Sequence, residues 1–67
     1  MLTWEDSLEI ARELMELHPE VRLEVVSLYM VYRWAATLPD FDDEYELVNP
    51  SILEAVLQEW YEEANPI

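Results

Sequence analysis

Apolar residues in the first part of the chain recur at the spacing of an amphipathic helix. Within the block TWEDSLEIARELMELHP, three of them share one face: Ile10, Leu14 and Leu17. This spacing predicts a helix with one buried side. Thr3 followed by Asp6 resembles a capping box with Asp in place of Glu, so we expect the helix to begin there. Pro19 should end it near His18, because proline disfavours helical backbone in the preceding residue.

A second apolar block, VRLEVVSLYMVYRWAATLP, predicts another helix. Its apolar residues fall on one face or directly beside that face: Leu28, Val31, Ala35 and Leu38, with Val25 and Trp34 alongside. Pro39 closes the helix. A break near Ser27 is an alternative.

The third block begins with Asn49 and Pro50, a good N-cap followed by a residue suited to the first helical position. Four residues then form a predicted buried stripe: Leu53, Val56, Leu57 and Trp60. The chain has no internal repeat and no linker long enough to divide domains. These patterns predict an all-α fold, a small compact bundle of three to four helices in a single domain over residues 1–67.

Length and composition restrict the function. A chain of 67 residues buries only about 60% of its unfolded surface, which leaves little core for an enclosed active site. Ser7 and Ser51 lie in first turns without a nearby His base, so we expect no enzyme. With no cysteine, the chain forms no disulfide and cannot ligate a cluster through thiolates. No stretch approaches the roughly 18 apolar residues of a membrane span, and the N-terminus lacks signal-peptide character, so we expect a cytoplasmic protein.

The charge is strongly one-sided. Sixteen Asp and Glu oppose three cationic residues, all arginines, and the net charge is −13. Nucleic acids and anionic membranes require basic contacts, so we expect neither as a partner. The charge favours a basic protein surface or a cation instead.

The acids fall into two groups. The first is spaced to line one edge of the predicted first helix: Glu5, Glu9, Glu13, Glu16 and Glu20. The second follows Phe41: Asp42, Asp43, Glu44 and Glu46, with Asp40 just before it. Like charges at helical spacing cost about 0.2–0.5 kcal/mol per pair, and in the first group only Arg12 offsets this cost. The pattern is equally compatible with a binding face and with a surface that keeps a small apolar domain soluble.

The ordered positions of many residues resemble the IscX (YfhJ) family of small acidic iron-sulphur cluster assembly proteins. The resemblance spans nearly the whole chain without a gap. It rests on these residues: Trp4, Asp6, Ser7, Glu9, Ile10, Pro19, Trp34, Leu38, Phe41, Asp42, Asp43, Asn49, Ile52, Leu53, Glu54, Ala55 and Trp60.

This resemblance implies a compact helical bundle related to winged-helix-type bundles. It further implies a non-enzymatic protein that docks on the basic surface of a cysteine desulfurase and binds iron weakly through carboxylates. The two acid groups are then the expected partner-binding residues, and a monomer is expected. No cofactor is required. The best candidate for a cation site is Asp42, Asp43 and Glu44, although a loop of acids is more often solvated than chelating.

The chain departs from the family pattern in its middle. Where the family is expected to carry polar Arg, Asp and His, this sequence has Ser27, Met30 and Tyr32. Loss of a carboxylate and an imidazole weakens the case for a hard cation there. Tyr29, Met30 and Tyr32 should lie on the solvent side, where they close a gap against a neighbouring loop, form a crystal or dimer contact, or provide a new interface. An alternative is therefore a redesigned or diverged scaffold that keeps the fold without a native binding function.

The remaining residues whose side chains could bind a ligand or a metal have simpler structural explanations. His18 stands at a helix end, where it is expected to complement the helix dipole more than to bind a metal. The three tryptophans are expected to be core anchors, and only remotely stacking surfaces for a ligand: Trp4, Trp34 and Trp60.

Overall fold

The computed structural model describes residues 1–65, and of Tyr45 the backbone alone. Its elements are the helices α1 (Ser7–Leu17), α2 (Leu28–Ala36) and α3 (Pro50–Ala64), with 3₁₀ turns at Leu23–Val25 and Tyr45–Leu47. The predicted all-α bundle is thereby confirmed. The predicted single domain includes residues 66 and 67, which lie outside the described residues, so the domain assignment stays a prediction.

The helix α3 begins where its sequence indicates. The Asn49 side chain accepts a hydrogen bond from the Ile52 N–H at 3.0 Å, and Pro50 occupies the first helical position. The cap satisfies one of the N–H groups that have no partner within the helix, and proline has no N–H to leave unpaired. Both predictions are confirmed.

The second block is broken at Ser27, which is the alternative that the sequence left open. Ser27 Oγ accepts a hydrogen bond from the Met30 N–H at 3.2 Å. In return, the Ser27 N–H lies 3.5 Å from Met30 Sδ, a weak acceptor in the place where a capping box carries Glu or Gln. The helix α2 therefore starts at Leu28.

The helix α1 starts later than Thr3 predicts. The Asp6 carboxylate accepts the Thr3 N–H at 2.9 Å, while the Asp6 N–H donates to the Thr3 carbonyl at 3.0 Å. These two bonds close a turn in front of the helix, so Asp6 itself becomes the N-cap and Ser7 the first helical residue. The helix ends at Leu17, directly before the residue that precedes Pro19, as predicted.

The core is formed by one face of each α-helix together with the chain start and the segments on either side of α2. Its buried residues are Leu2, Trp4, Ile10, Ala11, Leu14, Leu23, Val26, Val31, Ala35, Leu38, Leu53, Val56 and Trp60. The helix α3 packs against both α1 and α2. Two predicted core positions are wrong: Leu17 is 58% exposed and Val25 is 66% exposed. Leu17 is the last residue of α1 and Val25 ends a 3₁₀ turn, so neither continues a buried helical face.

Candidate acidic interaction surface

The loop after α2 is fastened to the start of the chain. Leu2 and Phe41 form an isolated parallel β-bridge. Its two hydrogen bonds run from the Leu2 N–H to the Asp40 carbonyl at 2.7 Å and from the Asp42 N–H to the Leu2 carbonyl at 2.8 Å. Because α1 begins a few residues after Leu2, this bridge holds the acidic loop next to that helix.

Trp4 adds a second attachment between the same segments. Its N–H donates to Asp43 Oδ2 at 3.0 Å, and its indole Nε1–H donates to the Glu44 carbonyl at 2.9 Å. The Trp4 ring is 3% exposed and packs against Phe41 with ring centroids 4.6 Å apart. A buried indole normally finds a hydrogen-bond acceptor, and here the loop backbone supplies it.

A groove of about 350 Å³ lies between the loop and α1. Its lining combines acids from both groups with one cation and one apolar residue: Leu2, Glu9, Arg12, Glu13, Glu16 and Asp40. We call this the acidic groove. It joins the middle of the predicted helix stripe to Asp40, which the sequence places just before the second acid group.

A second depression of about 360 Å³, also lined by the chain start and the loop, brings together two further acids, Glu5 and Asp43. Its other lining residues are Thr3, Trp4, Leu47 and Ile52. We use "acidic surface" for the six acids that line these two features: Glu5, Glu9, Glu13, Glu16, Asp40 and Asp43. The other predicted partner-binding residues are exposed but line neither feature: Glu20, Asp42, Glu44 and Glu46.

The predicted stripe is shorter as a helical feature than the spacing suggested. Glu5 precedes α1 and Glu20 follows its end, so only Glu9, Glu13 and Glu16 lie on the helix. Glu5 still joins the surface, because the turn before α1 places it beside Asp43. Glu20 comes after Pro19 and is not brought to the groove.

The one cation in the acidic groove is engaged with another helix. Arg12 Nε donates to Glu63 Oε1 of α3 at 2.9 Å, and this hydrogen bond is the main cause that raises the Arg12 pKa, with the charge of Glu63 next. Glu9 and Glu59 add smaller contributions. Arg12 therefore serves the α1–α3 contact first and compensates the groove acids only in part.

The N-terminal ammonium is the other positive group near the groove. It lies 3.3 Å from Asp40 Oδ2, and both groups are largely exposed. Such an exposed pair contributes little, about 0–1 kcal/mol, because water screens it. The acids of the groove therefore outnumber the positive groups that could neutralise them.

The candidate cation site is only partly available for ligation. Both Asp43 carboxylate oxygens already accept backbone N–H groups, from Trp4 at 3.0 Å and from Glu44 at 2.7 Å. Among residues 1–65, no three or more His, Cys, Asp or Glu side chains are grouped so that they could hold a metal ion. Iron binding by Asp42, Asp43 and Glu44 stays a prediction.

His18 has a partner that the sequence did not indicate. Its ring stacks on Trp34, with centroids 4.0 Å apart and planes inclined by 20°. Trp34 in turn lies 6.1 Å from Trp60. Trp4 and Trp60 are buried core anchors as predicted, whereas Trp34 is half-buried and covers the end of α1.

The three residues of α2 expected on the solvent side divide between packing and exposure. Tyr32 stacks on Trp4 with centroids 6.1 Å apart and packs against the core, so it fills the space beside the loop. Met30 is partly buried and also packs against the core, while Tyr29 is 63% exposed. Gap filling therefore describes Tyr32 and Met30 but not Tyr29.

Two contributions to this surface were not found from the sequence. Asp40 was noted as an added acid but not as a site residue, and the attachment of Trp4 to Asp43 had no local signal. Both depend on the pairing of Leu2 with Phe41, which joins positions 39 residues apart (41 minus 2). No helix among residues 1–65 has the length and apolar character needed to cross a membrane.

Comparison with known proteins identifies the family. The family model described as iron-sulphur cluster assembly matches residues 2–65. A protein of Pseudomonas aeruginosa described as uncharacterized is 40% identical over 62 residues, which are 92% of this chain and 94% of that relative. The helical bundle and the ordered positions from Trp4 to Trp60 agree with this match. The chain therefore belongs to the IscX family, whose proteins take part in iron-sulphur cluster assembly.

Proposed function

We propose that this protein is a non-enzymatic, monomeric acidic adaptor of the cytoplasm that docks on a basic surface of a cysteine desulfurase through the acidic surface. A role in iron-sulphur cluster assembly follows from the family. The observation that best supports docking is the acidic groove, in which Glu9, Glu13 and Glu16 of α1 meet Asp40 of the loop.

The energetics of this groove favour a basic partner. Like charges three or four residues apart destabilise a helix by about 0.2–0.5 kcal/mol per pair. Glu9 and Glu13 have this relation, as do Glu13 and Glu16. A partner that brings Lys or Arg next to them removes the repulsion and adds long-range attraction, which mainly raises the association rate.

The proposal includes weak iron binding through the second acid group. The carboxylates of Asp42 and Glu44 are exposed on the loop, where they offer hard oxygen ligands. Asp43 contributes less, because its oxygens hold the Trp4 and Glu44 N–H groups. We therefore expect iron to bind loosely, as cargo or an effector and not as a structural metal.

Binding of the wild-type chain to an immobilised cysteine desulfurase tests the docking proposal. Affinity should fall steeply between 0.01 M and 0.15 M salt, since the Debye length shrinks from about 30 Å to about 8 Å. Glu9→Lys with Glu13→Lys should weaken binding mostly through a slower association rate, while thermal unfolding stays unchanged or shifts slightly upward.

A matched variant separates local from overall charge. Glu54→Lys with Glu62→Lys changes the net charge equally, by +4, but both residues are exposed on α3 outside the acidic surface. This control should bind more strongly than the Glu9 and Glu13 double variant. If the two double variants lose the same affinity, the effect comes from the net charge and not from the position of the acids. If the desulfurase does not bind the wild-type chain at low salt, the adaptor proposal is wrong. A redesigned or diverged scaffold without native binding then becomes the better explanation.

A further inference from the structure

One part of the chain is free of acids. Residues 25–39 contain no Asp or Glu, although the chain carries sixteen. They include Arg33, which differs from the other two arginines. Arg12 pairs with Glu63 and Arg22 lies 3.4 Å from Glu24, but within residues 1–65 no carboxylate forms an ion pair with Arg33.

Arg33 is instead positioned by a neighbouring tyrosine. Its Nη1 donates to the Tyr29 hydroxyl at 3.1 Å, and its guanidinium carbon lies 5.9 Å from the centre of the Tyr29 ring. The hydrogen bond to Tyr29 is the main cause that raises the Arg33 pKa. One donor of the guanidinium is used in this contact, and the fork retains donors that can bind a carboxylate at two points.

A groove of about 460 Å³ runs along this side of α2. Five residues line it: Tyr29, Met30, Arg33, Trp34 and Thr37. Since an α-helix has about 3.6 residues per turn, Tyr29, Arg33 and Thr37 fall on the side turned away from the buried Val31 and Ala35. Met30 and Trp34 lie at the edge between this side and the core. We call this the α2 groove. It shares no residue with the acidic surface.

The apolar side chains of the α2 groove are held in place from within the protein. Trp34 is fixed by stacking on His18 at 4.0 Å. The Met30 thioether faces the Ser27 N–H at 3.5 Å. Tyr29 is the exception, because it is 63% exposed and contacts the exposed Arg33 on the same helix. A surface ordered before binding loses less side-chain entropy when a partner arrives.

We propose that the α2 groove docks an acidic segment of a partner protein, in which a carboxylate stands next to an apolar or aromatic side chain. The charge of the lining supports this choice, because the five lining residues include no acid, and their arginine has no carboxylate partner among residues 1–65. The carboxylate would pair with Arg33, and the apolar side chain would lie against Met30 and Trp34. This inference goes beyond the proposed function, since it gives the protein a second docking surface. The α2 groove binds an acidic segment, whereas the acidic surface binds a basic one.

The binding of a short peptide measures this preference directly. The probe is the capped peptide acetyl-Leu-Phe-Asp-Leu-amide, and its control is the same peptide with Asn in place of Asp. Both are titrated into isotope-labelled protein at about 0.15 M salt, where a Debye length of about 8 Å limits repulsion by the net charge. The Asp peptide should shift the NMR signals of the Arg33 Nε–H, the Trp34 indole and residues 29–37. It should bind at least about fivefold more tightly than the Asn peptide, because a charge-assisted hydrogen bond is stronger than a neutral one.

Variants locate the interaction. Arg33→Gln should remove the advantage of the Asp peptide over the Asn peptide, so that both bind the variant equally weakly. Arg22→Gln, which removes an exposed arginine outside the groove, should preserve the advantage. Glu9→Lys with Glu13→Lys should also preserve it, which separates this inference from desulfurase docking.

Three results would overturn the inference. The first is equal binding of the two peptides to the wild-type chain. The second is an undiminished advantage of the Asp peptide with Arg33→Gln. The third is a concentration-dependent shift of residues 29–37 without peptide, accompanied by slower diffusion, because the occupant of the groove would then be a second copy of this chain.

Discussion

Replacement of Asp43 by Ala should destabilise the fold more than its position in a partly exposed loop suggests. The Asp43 carboxylate accepts N–H groups from Trp4 at 3.0 Å and from Glu44 at 2.7 Å. A hydrogen bond to a charged group contributes about 1.5–3 kcal/mol net. The exposed Glu44 N–H can turn to water, so we count only the bond to Trp4 and expect a loss of about 1.5–3 kcal/mol. At about 0.05–0.15 kcal/mol per residue, the free energy of unfolding of the whole chain is roughly 3–10 kcal/mol.

Urea unfolding followed by circular dichroism measures this loss. With a slope near 1 kcal/mol per molar urea, the midpoint should fall by roughly 1.5–3 M. Asp42→Ala is the matched control, because it removes the same charge from the next position. The Asp42 residue is exposed, and its carboxylate accepts no hydrogen bond from the groups of residues 1–65 that the structure describes. Its removal should therefore change stability by less than about 0.5 kcal/mol.

The comparison of the two variants tests whether the hydrogen bond from Trp4 to Asp43 stabilises the fold. If Asp43→Ala and Asp42→Ala shift the midpoint equally, the bond to Trp4 does not hold the loop against the chain start. The acidic surface would then lack the attachment that we describe. A changed slope with Asp43→Ala, in contrast, would indicate that the loop had already detached in the native state.

Three further predictions concern the core, a helix start and the metal. Trp60→Ala should lower the free energy of unfolding by about 3–5 kcal/mol, because the Trp60 ring is buried, and an unmoved thermal transition would contradict its packing. Asn49→Ala should cost about 1 kcal/mol in the same assay through loss of the α3 cap, whereas Asn49→Asp should preserve most of it. Anaerobic calorimetry with ferrous iron should give an affinity no tighter than millimolar, and micromolar binding with NMR shifts confined to Asp42, Asp43 and Glu44 would show a specific site.

The parts of the fold that depend on local chemistry were predictable from the sequence. Asn49 and Pro50 define the start of α3 within a few residues, since a cap needs only its own side chain and the N–H groups of the next turn. The break near Ser27, which the sequence left open as an alternative, also depends on a local side-chain cap. The buried stripe from Leu53 to Trp60 follows from helical periodicity alone.

The errors lie at the first or last residues of helices. Leu17 has the spacing of the apolar face of α1. Periodicity does not show where the helix stops, and no further helical turn follows Leu17 to bury its side chain. Val25 was assigned to a helix that begins only at Leu28. The Thr3 and Asp6 pair has the residue types of a capping box, yet Asp6 uses its carboxylate to hold Thr3 in a turn, so the helix starts after both.

The candidate site could be predicted only in part, because half of it depends on distant pairing. The acids of α1 were apparent from their spacing. Their meeting with Asp40 depends on the Leu2 and Phe41 bridge, which no local pattern reveals. The stacking of His18 on Trp34 is a similar case, since the two residues belong to different helical blocks.

The packing of α1 on α3 has a consequence for synthesis of the chain. From the end of α1 at Leu17 to the start of α3 at Pro50 the ribosome adds 33 residues (50 minus 17). At about 5–20 residues per second this takes roughly 2–7 s, during which the apolar face at Ile10 and Leu14 has no cover from α3. Such transiently exposed faces favour aggregation and chaperone capture. The glutamates of α1 emerge with that face, so their mutual repulsion would keep neighbouring nascent chains apart until the last helix arrives.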